Sequence, residues 1–176
     1  MTDENSNDEQ RASARTIVVG VLPEQPLWVL QVAAEYATSF DAELICVAAD
    51  AARYAYQELP DGSLLTAPID PDVASVGPLF DAERLQEIRN VLAPSGVRWS
   101  LREQVGLATD ALMEVADAED ALMIVVGARP GGLRGALRNV LTGSVALRLA
   151  HRQYRPVVIV PTSPDESDTA LLTGLG

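Results

Sequence analysis

The chain has 176 residues, 48% of them hydrophobic, which is enough for about one domain with a sizeable core. Its formal net charge of −12 argues against general nucleic-acid binding, which draws its affinity from basic side chains on phosphates. All 13 basic residues are arginine, so a Walker A loop, a Schiff-base lysine and a lysine-dependent kinase site are excluded, and a single cysteine (Cys46) with a single histidine (His151) makes neither an intrachain disulfide nor a structural zinc site.

Residues 1–14 carry Asp3, Glu4, Asp8 and Glu9 with almost no large apolar side chain, the composition of a disordered acidic tail. This polar start is unlike a signal peptide, and no run approaches the roughly 20 apolar residues that span a bilayer, so no membrane partner and a cytoplasmic location are expected. A folded body over 15–161 follows. Its first strand is expected at Thr16–Leu22, continuously apolar as a strand covered on both faces should be. Leu30, Ala33, Ala34, Ala37 and Phe40 then fall on one helical face. Leu44–Ala49 is a second strand.

The window from Asp50 to Phe80 holds four prolines (Pro60, Pro68, Pro71 and Pro78) and is expected to be a long irregular connection beside or over the sheet. Beyond it, Asp81 is a suitable N-cap for a helix with Leu85, Ile88 and Leu92 on its buried face. Val97–Arg102 alternates strictly between apolar and polar, which predicts an edge strand. A helix follows Thr109 and buries Leu112, Val115 and Ala116. Ala121–Val126 reads as another central strand, a last helix starts near Gly143–Ser144 with Val145 and Leu149 inward, and Val157–Val160 is a fifth strand between Pro156 and Pro161. Residues 162–176, with Asp165, Glu166 and Asp168, read as a flexible acidic tail. Short apolar runs alternating with helical periods define an α/β fold, Rossmann-like, with one open parallel five-stranded sheet and helices on both faces.

In such a sheet a ligand sits beyond the carboxyl ends of the strands, where strand order reverses. If the first and fourth strands are neighbours, the crevice lies between Gly20-Val21-Leu22-Pro23 and Gly127-Ala128-Arg129. From Gly127 to Arg155 there are six arginines (Arg129, Arg134, Arg138, Arg148, Arg152 and Arg155) and no carboxylate, a local +6 inside a chain of −12. Glycines at 127, 131, 132, 135 and 143 let a ligand approach the backbone, and Ser144 sets a hydroxyl beside the unpaired N–H groups of a helix start. The segment is suited to an anion such as a nucleotide phosphate. The opposing reading makes the glycines turns and the arginines a solvated helix face.

Thr16-Ile17-Val18-Val19-Gly20-Val21, Ile124-Val125-Val126-Gly127 and Gly143-Ser144-Val145-Ala146 running on to Arg155-Pro156-Val157-Val158-Ile159-Val160-Pro161 resemble the universal stress protein family. The resemblance implies the strand order 3-2-1-4-5 and a homodimer through the last strand. It also implies an adenine nucleotide, with Gly127, Gly143, Ser144 and Val145 at phosphate and ribose and the backbone near Ala48 and Ala49 facing the base. Arg129, Gly131 and Gly132 join these as candidate binding residues.

Members that bind ATP have an acidic residue at the end of the first strand and a Gly-x2-Gly-x9-Gly-Ser/Thr pattern. Here Leu22 replaces the acid and Pro130, which has no N–H, replaces the second glycine, with a longer spacing to Gly143. ATP as cofactor is therefore in question. Two functions follow: a regulator binding an adenine nucleotide or other anion at Gly127–Ser144, or a dimeric interaction module that has lost the nucleotide. Catalysis is not expected, because the chain has no lysine and no Gly-x-Ser-x-Gly elbow. His151, Cys46 and Trp99 read as structural, and Trp28 as a packing anchor within reach of the crevice.

Overall fold

In the computed structural model the described residues are 15–51, 53–58, 64–68, 79–128 and 145–162. Five strands, β1 (Arg15–Gly20), β2 (Ala42–Asp50), β5 (Trp99–Val105), β6 (Met123–Ala128) and β7 (Val157–Pro161), form a parallel sheet in the order β5-β2-β1-β6-β7. Counting these strands in chain order gives the expected 3-2-1-4-5. The period of two along each strand divides the core. Ile17, Val19, Leu44, Cys46, Met123 and Val125 face one layer of helices, while Val18, Ile45, Val47, Ile124 and Val126 face the other. Residues of both sets are buried, which is why these strands read as unbroken apolar runs.

On the first face lie α1 (Trp28–Ser39) and α2 (Ala82–Leu92); on the second lie α3 (Ala108–Ala118) and α4 (Val145–Arg152). The α1 stripe is Val29, Leu30, Ala33, Ala34 and Ala37. Phe40, expected to extend it, is instead the C-cap residue and is exposed, because the helical period ends with Ser39. The Asp81 carboxylate accepts a hydrogen bond from the Arg84 N–H at 2.7 Å, a cap worth about 1 kcal/mol. Thr109 lies inside α3 rather than ahead of it, with its side chain buried in the first turn.

Strand ends shift where pairing continues. β5 runs on to Val105 because β2 pairs with it as far as Asp50. β6 begins after the turn at Asp120, whose φ is 44°, and extends to Ala128 opposite Pro161. Gly127 is consequently a strand residue paired with Val160 and not the first residue of a loop.

The connection between Asp50 and Phe80 is more regular than its prolines suggest. Arg53–Glu58 (β3) and Leu64–Pro68 (β4) form an antiparallel hairpin with an irregularity between Ala55 and Gln57. Pro68 is the last residue of β4, where a missing N–H interrupts nothing further along the ladder. β3 comes against β5, beside the edge of the main sheet. The expected acidic tails lie outside the described residues, apart from Thr162.

Candidate functional site

The carboxyl ends of β1 and β6 meet at the point where the chain leaves for opposite faces of the sheet. After Gly20 the Val21 N–H donates to Val47 O at 2.9 Å, and the turn Leu22–Gln25 closes with the Gln25 N–H on Leu22 O at 3.1 Å. Three residues later α1 starts. This short route aims the Gln25 side chain back at the strand ends: it is 8% exposed, and its Nε2 donates to Gly20 O at 3.2 Å. Leu22, at the place of the expected acid, is half-buried and brings no polar group.

Gly127 faces this amide. A Cβ built on it would lie 2.9 Å from Thr162 Cγ2, 3.3 Å from Gln25 Cδ and 3.4 Å from Gln25 Nε2. A side chain at 127 would press on the Thr162 methyl and the Gln25 amide, so both pack closely over this glycine. Thr162 is fixed by its hydroxyl, which donates to Ala128 O, and the Trp28 indole N–H donates to Pro161 O at 2.8 Å. From α2 the Arg84 Nη2 donates to the main-chain carbonyl of Gln25, while its Nη1 pairs with Glu87 Oε2 at 2.8 Å.

Of the candidate residues, Gly127 is at the crevice, Ala49 is half-buried near the carboxyl end of β2, and Val145 opens α4, half-buried against the α3 side of the core. Arg129, Gly131, Gly132, Gly143 and Ser144, with Pro130, lie outside the described residues. The positive stretch is partly consumed inside the fold. Arg152 pairs with Asp110 of α3, while Arg155 donates from Nε to Ala121 O at 2.8 Å and pairs with Asp117 and Asp120. These two arginines hold α3 and the turn after it, and Arg148 is exposed on α4.

Gln25, Thr162 and Arg84 are the residues that sequence reading missed. One signal was available for Gln25, a polar residue between Pro23 and Pro26 directly after a central strand. The described groups that meet there are an amide, a hydroxyl, an indole, the Arg84 guanidinium and main-chain carbonyls, each hydrogen-bonded within the chain. Cys46 is not an available nucleophile: burial in β2 pushes its thiol up to about 12, from an ordinary value of 9.0. Among the described residues no group of three His, Cys, Asp or Glu is placed to hold a metal, and no helix is long and apolar enough to cross a membrane.

An open parallel sheet with helices on both faces, its strand order reversing between β1 and β6, defines a doubly wound α/β protein. The universal stress protein family model matches residues 13–161. A universal stress protein solved in complex with cAMP is 30% identical, with a TM-score of 0.57 over 85% of this chain and 98% of the other. A universal stress protein from Archaeoglobus fulgidus is 20% identical, with a TM-score of 0.57 over 87% of this chain and 98% of the other. The universal stress protein from Archaeoglobus fulgidus in complex with dAMP is 21% identical, with a TM-score of 0.53 over 83% and 97%. No curated protein matches the chain. The chain belongs to the universal stress protein family.

Proposed function

We propose that this protein is a stress-type regulator that binds an adenine nucleotide in the crevice between β1 and β6, with Ala49 on the base side and 127–145 on the phosphate side. The observation that carries the reading is the 30% identical relative solved with cAMP, aligned over 85% of this chain. A nucleotide with one phosphate is favoured over ATP. Leu22 offers no carboxylate, and Pro130 removes an N–H from the segment expected to cradle phosphate.

Thermal unfolding with added cAMP, AMP or ATP tests this. A ligand at about 100 times its Kd stabilises the native state by about 2.7 kcal/mol, and the monophosphates are expected to shift the transition at lower concentration than ATP. Absence of any shift at millimolar nucleotide, with and without Mg²⁺, removes the reading.

A second reading, the dimeric interaction module, is favoured by the outer edge of the sheet. β7 is an edge strand that leaves Ile159 55% exposed, and Tyr154 just before it is fully exposed. Two copies pairing β7 to β7 about a two-fold axis would cover both edges and both isoleucines. Sedimentation at micromolar concentration is expected to give a dimer for the natural chain and a monomer for Ile159→Glu; a monomer for both would dismiss this interface. Nucleotide binding and dimerisation are compatible, since the crevice and β7's free edge are different surfaces.

A further inference from the structure

A glutamine in a four-residue turn ordinarily extends into water, where its amide is solvated and its rotamers are free. Gln25 does neither. Its side chain is folded back under the turn, nine-tenths buried, and bridges the ends of two central strands. On the β1 side it is held by the bond from Nε2 to Gly20 O at 3.2 Å. On the β6 side the carboxamide rests on the Cα of Gly127, so close that a methyl group there would be 3.3 Å from Cδ. The main chain of the same residue is fixed independently from another element, because the Arg84 guanidinium on α2 donates to the Gln25 carbonyl and is itself held by Glu87. The Thr162 methyl lies against the same Cβ position of Gly127.

The surface that lies between β1 and β6 is thus already covered by a neutral, hydrogen-bonded side chain of the protein. We propose that Gln25 sets the affinity of this crevice: its amide occupies the ground beside Gly20 and Gly127, and a purine nucleotide reaching the strand ends binds by displacing it. Arg84 is a positioning residue that keeps the turn, and with it the amide, over the strand ends. The inference rests on the nucleotide reading and adds its gatekeeper.

The sign of the effect follows from what displacement costs. The ligand must break the Gln25 to Gly20 bond before it gains its own contacts. An ordinary neutral hydrogen bond of net strength near its mean corresponds to roughly a fivefold change in binding constant. Removing the amide therefore tightens binding, whereas removing a ligand contact would weaken it.

The test is calorimetric titration of the full chain with cAMP and with AMP, comparing the natural protein with Gln25→Ala and Gln25→Asn. Asparagine keeps the amide but is one methylene shorter, and it carries the test if the alanine variant does not fold, as judged by its melting transition. Roughly fivefold tighter binding in either folded variant, or binding in a variant where the natural chain shows none, supports the proposal. Unchanged affinity makes Gln25 a bystander and weaker affinity makes it a ligand contact; both overturn the proposal and leave the nucleotide reading standing. Absence of binding in all three proteins overturns the nucleotide reading and this inference with it.

Discussion

Phe80→Ala is expected to destabilise the protein by about 3–5 kcal/mol. Phe80 is 1% exposed and is the largest fully buried side chain among the described residues. It stands where the chain returns to the main fold, one residue before the Asp81 cap of α2, and packs in the same core as Ile88 and Leu92 of α2 and the inner stripe of α1. Truncation removes the ring and leaves a cavity that α2 cannot close by moving, because the Asp81 cap and the Arg84 bond to Gln25 hold its first turn. Urea unfolding followed by circular dichroism measures the loss. Phe80→Leu, which keeps most of the volume, should cost about 1–2 kcal/mol, and a Phe80→Ala cost below about 1 kcal/mol would show that the ring is not a core anchor.

That anchor was not legible in the sequence, and the reason is general. Leu30, Ala33 and Ala37, or Ile88 and Leu92, announce their burial by repeating at helical spacing. Phe80 belongs to no repeat: it is a single aromatic after a proline-rich stretch, and only the return of the chain to the sheet explains its burial. The hairpin β3–β4 escaped notice for a related reason, because four prolines in its window suggest disruption until Pro68 is seen to end a strand. The five parallel strands, by contrast, were legible almost to their ends. Continuous runs such as Ile17-Val18-Val19 and Ile124-Val125-Val126 have no polar face to spare, so they must sit between two layers.

The candidate site was legible as a place but not as a set of contacts. The switch-point rule pointed to Gly20 and Gly127, which end β1 and lie near the end of β6, the two strands between which the order reverses. What spacing cannot reveal is which side chains return to that place from elsewhere. Gln25 arrives by a turn, Thr162 from the end of β7 and Arg84 from α2, at separations of 59 residues for Arg84 with Gln25 and 34 for Thr162 with Ala128. The charge count was also only half of the electrostatics. Arg152 and Arg155 looked available for an anion because no carboxylate is near them in sequence, yet Asp110, Asp117 and Asp120 are near them in space.

Leu149→Ala is the second large effect and the more informative for function, with an expected cost of about 2–5 kcal/mol. Leu149 has 0% exposure and is the only fully buried residue of α4. It packs in the cluster that contains Val18, Leu112, Val115 and Ile124, on the face opposite α1. Short helices gain most of their stability from docking, so the described part of α4 persists chiefly through Leu149, the Arg152 pair with Asp110 being half-exposed. Because Val145 opens α4 on the proposed phosphate side, loss of the Leu149 anchor should release that end of the site as well as lowering stability. Phe80→Ala lowers stability by a comparable amount through the opposite helical layer. Both variants should therefore unfold earlier, but the stabilising shift from cAMP should persist in Phe80→Ala and fall away in Leu149→Ala. Hydrogen exchange supplies the independent check, with the amides of α4 losing protection in Leu149→Ala while those of α1 keep theirs at temperatures where the protein is still folded. Equal nucleotide shifts in the two variants would show that α4 contributes nothing to the ligand and that the crevice between β1 and β6 carries the binding alone.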